Sequence, residues 1–421
     1  MPKASSNNFA AERVNSERLL RRIEELAKFG ATGDGGVTRL AYSEDDIRAR
    51  SAVADWLAEA GIPSRVDAAG NLIARLAGRG GSRRVLATGS HLDTVVQGGR
   101  FDGAYGVMAS LEAMIRIAES GTPLWYDVSL VVFSNEEGAN GTPGMVGSHI
   151  VSGVPVDVDQ LDHTGVPLWR RLADVGGDAS ALDEAVWADD SVAAFVEMHI
   201  EQGPVLEDEG ADIGVVTSIT GRSNLVVEIT GQQQHAGTTP MTNRCDALVV
   251  AARIIGEVDA LAQKGAVRVA TTGRITCSPN VWNVVPGSVH LTVDLRDEDR
   301  SRITAATAHI RRLAGDLSAT TGAVVDVRQG PEVLPVAMDA ELADCISDAA
   351  GQLSLPSLRM PSGAGHDAQL VARTAPTAMI FVPSIGGVSH APQENSHDHH
   401  LTQGADVLLR ALRLIDERLK R

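Results

Sequence analysis

The chain has 421 residues, a net charge of −17, 43% hydrophobic residues and only 3% aromatics. Such a length holds two or three domains. The negative surface disfavours nucleic acid and anionic membranes as partners, and the scarcity of aromatics removes the base-stacking platforms of single-strand binders.

No apolar run reaches the ~18 residues of a membrane span. The N-terminal segment, residues 1–19, lacks the apolar core of a secretory leader. Cys245, Cys277 and Cys345 lie far apart with no CxxC spacing, which reads as reduced thiols of a cytoplasmic protein.

Two apolar stripes predict N-terminal helices: Leu19, Leu20, Ile23 and Leu26, then Ile47, Val53, Trp56 and Leu57. Short strands follow at Asn71–Leu76 and Arg84–Ala87. The stretch VLATGSHLDTVVQGGRFDGAYG, Val85–Gly106, begins as a buried strand and ends in a helix striped by Val107, Leu111, Met114 and Ile115. His91 thus stands at a strand's carboxyl end and Asp102 at a helix start, the crevice where open α/β sheets bind ligands. Asp127–Phe133 is a buried strand running into Ser134-Asn135-Glu136-Glu137-Gly138. Residues 139–190 read as loop with short helices, and Phe195–Ile200 as a strand that carries His199.

From Ile213 the texture changes. Strands at Asn224–Ile229, Val267–Thr276, Val289–Arg296 and Ala323–Val327 alternate with helices at Cys245–Leu261 and Arg300–Leu317. Leu248, Ala252, Ile255 and Val258 form the first helix's apolar stripe. This is an α+β unit inserted into the first domain. The first domain resumes with helix Ala340–Leu353, strand Ala378–Pro383 and helix Ala405–Leu419. The boundaries read 1–213, 214–330 and 331–421, with Gly214 and Gly330 as hinge points.

Three strands end in groups that bind metals: His91 with Asp93 and Asp102, Glu136 with Glu137, and His199. His390, in GGVSHAPQE, is a fourth candidate and competes with His397, His399 and His400. Imidazole and carboxylate without thiolate suit Zn²⁺, Mn²⁺, Co²⁺ or Ni²⁺. Five such ligands suit two ions sharing one carboxylate, a pair able to activate water and polarise a carbonyl. Successive residues leaving a strand point opposite ways. One of Glu136 and Glu137 can therefore ligate while the other stays free as a base. Asp93 is placed to accept the second N–H of His91 and fix its tautomer.

GSHLDT, GRFDGAYG, SNEEG, MHIEQGPVLE, HAGTTPM, NVVPG, DLRD, SGAGHDA and VSHAPQE, in this order, resemble the dinuclear-zinc aminoacylase/carboxypeptidase superfamily. Within it they are similar to the hydantoinase/carbamoylase branch, whose marker is the histidine of HIEQG. The resemblance implies an α/β, zinc-exopeptidase-like catalytic domain with a mixed sheet flanked by helices. It also implies an inserted ferredoxin-like lid that pairs two chains as a homodimer. His91, Asp102 and His199 would hold one metal, and Asp102, Glu137 and His390 the other. Glu136 would be the general base and Asp93 would orient His91. His235 would stabilise the oxyanion across a dimer interface. Gln202, Asn283, Arg296 and Gly363 would meet the substrate, Arg296 through its carboxylate, with His366 in the same loop as Gly363.

The activity implied is hydrolysis of a linear C–N bond in a ureido compound, foremost an N-carbamoyl-L-amino acid, giving the amino acid, CO2 and NH3. Allantoate amidohydrolase and β-ureidopropionase are the alternatives. Arg222-Ser223-Asn224 lacks the paired arginines associated with some allantoate enzymes. A metal-free dimeric binding homologue would need lost ligands, and none is lost.

Overall fold

The computed structural model describes residues 11–420. Residues 1–10, most of the segment in which no leader was read, lie outside them. The chain divides into two units: residues up to Thr217 together with those from Met338, and the intervening Ser218–Ala337.

In the first unit, side-chain caps start the helices by satisfying orphan amides. Asn15 accepts from Arg18 N ahead of α1 (Ser16–Leu26), and Ser43 from Asp46 N ahead of α2 (Glu44–Glu59). β1 (Ser64–Val66), β2 (Leu72–Leu76) and β3 (Val85–His91) follow. α3 (Ala104–Glu119) is apolar on nearly every side and is correspondingly buried, packing on β3 and against the C-terminal helix. Next come β4 (Asp127–Phe133), α4 (Val146–Val151), α5 (Leu168–Asp174), the wholly buried β5 (Val192–Ile200), α6 (Val205–Glu209) and β6 (Ile213–Ile219).

The second unit contains β7 (Gly221–Thr230), β8 (Gln234–His235), α7 (Ala247–Gln263), β9 (Val269–Ser278), β10 (Val284–Val285), β11 (Ser288–Asp297), α8 (Arg300–Thr321), β12 (Val324–Gln329) and β13 (Val336–Ala337). Its antiparallel sheet runs β12-β7-β11-β9, and the chain order β-α-β-β-α-β is ferredoxin-like. Leu225, Val227 and Ile229 alternate inward on β7 and meet Val250, Ile254 and Val258 of α7. This corrects the stripe read on α7. Leu248 and Ala252 face outward, because the helix is apolar on two sides and periodicity alone does not choose between them.

The first unit then closes with α9 (Ala340–Gln352), β14 (Ser357–Ser362), α10 (Asp367–Val371), β15 (Thr377–Val382) and α11 (Asp398–Leu419). α11 starts earlier than read. His397, His399 and His400, the competitors of His390, belong to its N-cap and first turn.

The main sheet is mixed and flanked by helices, in the order β1-β2-β4-β3-β5-β15-β6, with β14 also beside β6. β4, β3, β5 and β15 are mutually parallel, so their carboxyl ends share one edge. β6 continues unbroken to Ile219, which moves the unit boundary past residue 213; the return is at Met338 rather than 331. Gly214 is a packing position inside β6 rather than a bend. A Cβ there would lie 2.8 Å from Phe381 Cβ. Gly330 N donates to Asn224 O at 2.9 Å, pinning the end of β12. Among the described residues no helix is long and apolar enough to cross a membrane.

Candidate metal centre

Every strand of the parallel quartet delivers a candidate ligand to the shared edge. β3 ends on His91, β5 carries His199, β4 leads into Glu136-Glu137, and the loop after β15 carries His390. Asp102 and Gly103 enter the same space at the start of α3. Gly103 has φ 62°, and a Cβ on it would stand 2.4 Å from the His91 ring, so only glycine allows this approach.

The ligand atoms form two triads that share Asp102: His91, Asp102 and His199, and Asp102, Glu137 and His390. Asp102 Oδ1 lies 3.1 Å from His199 Nε2 and 3.7 Å from His91 Nε2. Asp102 Oδ2 lies 3.0 Å from His390 Nε2, which is 3.5 Å from Glu137 Oε1. One carboxylate therefore presents a different oxygen to each half.

His91 Nδ1 donates to the Asp93 carbonyl at 3.0 Å and His199 Nδ1 to the Ile200 carbonyl at 2.9 Å. A carbonyl only accepts, so both imidazoles turn Nε2 toward the carboxylates. Glu136 Oε2 is 3.7 Å from His91 Nε2 and belongs to neither triad.

The electrostatics call for a cation. Burial, then the neighbouring Glu137, holds the Glu136 carboxyl well above its usual range. Burial and Asp102 push Glu137 up to about 8, and burial pushes Asp93 up to about 6. The hydrogen bond to Asp102 pushes His390 up to about 9. Burial opposes the same change at His199, yet its bond to Asp102 brings it to about 9 as well. Clustered carboxyls resist ionising together; the two imidazoles bonded to Asp102, His199 and His390, take up positive charge, while burial pushes His91 down to about 4. A divalent ion among these nitrogen and oxygen donors answers the same demand, so the residues fit a metal.

Asp93 corrects the sequence reading in its detail. Its carbonyl, not its carboxylate, meets His91 Nδ1; Asp93 Oδ1 is 3.8 Å away. The carboxylate instead accepts Glu136 N at 3.1 Å and Glu137 N at 3.0 Å, fixing the turn that presents both glutamates. Gln202, at φ 59°, donates Nε2 to Asp102 Oδ2 at 2.7 Å, so it reaches the centre itself. His366 sets its ring edge against His199, 4.5 Å between centroids, and holds Ser362 Oγ at 2.9 Å. Gly363 is exposed in the turn between them.

The second unit holds the other three candidates. His235 on β8 pairs with Val284 of β10, and Ala236 N donates to Asn283 O at 3.0 Å, so His235 and Asn283 are neighbours. His235 Nδ1 accepts from Gly237 N and Thr238 N, which leaves Nε2 as the N–H. The Arg296 fork grips Asp294, Nε to Oδ1 at 2.9 Å, so a substrate carboxylate would have to compete with that partner.

Two buried arginines were missed, since each looks like an ordinary surface charge in sequence. Arg39 Nε donates to Leu92 O at 2.7 Å and braces the exit of β3. Arg50 donates to Gly70 O and Phe133 O and braces the exit of β4. A cavity of about 420 Å³ opens elsewhere on the sheet, over Ile73, Val85, Val131 and Val192, and is lined by none of the candidate ligands.

Residues 87–414 match the peptidase family M20/M25/M40, and the chain belongs to this metal-dependent hydrolase family. Within it the chain is 36% identical to the N-carbamoyl-L-amino-acid amidohydrolase of Paenarthrobacter aurescens, over 96% of this chain and 99% of the relative. It is 37% identical to the allantoate amidohydrolase of Bacillus subtilis, over 92% and 94%. The crystal structure of a hydantoinase/carbamoylase family amidase from Burkholderia multivorans superposes with a TM-score of 0.90 at 37% identity, over 96% of this chain and 98% of that one.

Proposed function

We propose that this chain hydrolyses the ureido C–N bond of an N-carbamoyl-L-amino acid, using two divalent ions of the Zn, Mn, Co or Ni type. One ion is held by His91, Asp102 and His199, the other by Asp102, Glu137 and His390. The observation that carries the reading is Asp102, whose two oxygens face separate imidazoles. The ions would supply Lewis acidity toward the ureido carbonyl and the attacking water. Glu136, beside both triads but in neither, takes the proton from that water and passes it to the leaving nitrogen. One water consumed gives the L-amino acid, CO2 and NH3.

Asp93 holds the Glu136-Glu137 turn. Gln202, the Gly363 loop and Asn283 contact the substrate, and Arg296 takes its carboxylate. The N–H at His235 Nε2 suits it to donate to the developing oxyanion. Allantoate is the second reading, supported by the Bacillus subtilis relative.

Ammonia release from N-carbamoyl-L-methionine, 3-ureidopropionate and allantoate tests the choice. Chelator-stripped protein is expected to release none, and added Mn²⁺, Zn²⁺ or Co²⁺ to restore release, fastest with N-carbamoyl-L-methionine. Turnover indifferent to chelation would refute the metal reading, and allantoate as the fastest substrate would favour the second.

A cytoplasmic homodimer completes the proposal. The three cysteines are free. The second unit exposes Leu248 and Val249 on α7, and Val269 and Ile275 on the edge strand β9. An open apolar strand edge is a template for pairing with a second copy. Light scattering is expected to give twice the mass of the 44.2 kDa chain. An Ile275→Lys variant that stayed dimeric would place the interface elsewhere.

A further inference from the structure

Three of the five candidate ligands, His91, Asp102 and His199, stand on or beside buried regular elements, and two do not. Glu137 lies in the turn after β4, where the Asp93 carboxylate holds its amide. His390 lies on a loop, its side chain 49% exposed, at φ 56°. A non-glycine residue in the left-handed region is strained and persists only where its surroundings hold it. The loop therefore needs an anchor.

Glu394 provides it. Ala391 to Glu394 is a turn with Pro392 at its second position, where the fixed φ of proline suits the bend, and Glu394 N donates to Ala391 O at 3.0 Å. The turn carries Glu394 back under His390, with the residue only 3% exposed. Its Oε1 accepts Phe101 N at 2.8 Å and Asp102 N at 3.1 Å. Its Oε2 accepts Ser389 Oγ at 2.7 Å, and that hydroxyl also lies 3.3 Å from Asp102 Oδ2. One buried carboxylate thus ties the Asp102 segment to the residue preceding His390. Gly99 leaves the room for it: a Cβ there would lie 2.0 Å from Glu394 Oε1 and 2.4 Å from its Cβ.

We propose that Glu394 is the positioning residue of the Asp102–Glu137–His390 half of the centre. It ties the two loops together and so sets how tightly that half holds its ion. The inference rests on the two-ion reading above. It differs from the part Asp93 plays, because Asp93 fixes the glutamates and Glu394 fixes the shared aspartate against His390.

The test is calorimetric titration of Mn²⁺ into chelator-stripped full-length protein, with the electron paramagnetic resonance spectrum of the bound ions as a second readout. The wild-type chain is expected to take up two ions. In Glu394→Ala one binding step is expected to weaken by about 10–100-fold, the other to stay unchanged, and the spectrum to show isolated rather than paired Mn²⁺. Glu394→Gln keeps an oxygen for the Phe101 and Asp102 amides and is expected to recover most of the loss. Gly99→Ala touches no ligand but displaces the Glu394 carboxylate, and is expected to reproduce the selective loss. It is an independent check if Glu394→Ala folds poorly.

Wild-type uptake of fewer than two ions sinks the two-ion reading, and this inference with it. Two ions bound by the wild type, with both steps unchanged in Glu394→Ala, or with both steps weakened equally, overturn the inference alone.

Discussion

Glu136→Gln is expected to lower turnover by about 10²–10⁴-fold, the range general-base catalysis supplies, while metal content and melting temperature stay at wild-type values. The turn that holds residue 136 is fixed through its backbone amide, which donates to Asp93 Oδ1 whatever the side chain. Glutamine also matches glutamate in volume, so no cavity opens. It loses the ability to accept a proton from water. Glu136 lies outside both triads, so its loss leaves both sets of candidate ligands complete. Steady-state ammonia release alongside metal analysis separates the outcomes. Near-normal turnover would remove Glu136 as the base, and loss of an ion would make it a ligand instead.

Most of this centre is legible in the sequence because a parallel strand ends where its apolar run ends. The polar residues at or just beyond the ends of VLATGS, DVSLVVF and FVEMHI are thereby sent to one edge of the sheet. That rule makes His91, the glutamate pair and His199 candidates, and the ordered motifs around them single them out. His390 does not, since it lies several residues past the end of β15, in a loop that no periodicity predicts.

The roles of Asp93 and Glu394 are also hidden. Each acts through amides of residues distant in sequence, and a carboxylate's partner cannot be read from its neighbours. Glu394 stood in the quoted VSHAPQE motif without a function, because Pro392 turning it toward Asp102 is visible only in three dimensions. Strands β1, β6 and β14 escaped notice for other reasons. β1 is three exposed residues and SLRMPS of β14 has little strand propensity, so pairing with neighbours makes them strands, whereas β6 was cut by a domain boundary drawn at its first residue. On α7, Leu248 and Ala252 form as good a stripe as Val250 and Ile254, and packing against the second unit's sheet decides which is buried.

Asp102→Asn probes the shared ligand itself, and its expected result is asymmetric. The side chain keeps its shape but retains a single accepting oxygen. Gln202 Nε2 donates to Oδ2 at 2.7 Å, so the asparagine oxygen takes the Oδ2 position, where an N–H already points at it. The amide NH2 then occupies the Oδ1 position, 3.1 Å from His199 Nε2. A donor there cannot ligate a cation. The His91–His199 half is expected to lose its ion, while the Glu137–His390 half keeps an oxygen and binds more weakly without the aspartate's charge. Turnover is expected to fall to background, because the water and the carbonyl need both halves. Metal analysis of protein purified without chelator is expected to give no more than one ion per chain. Two ions retained at wild-type affinity would show that Asp102 is not the shared ligand, each ion then being held without it.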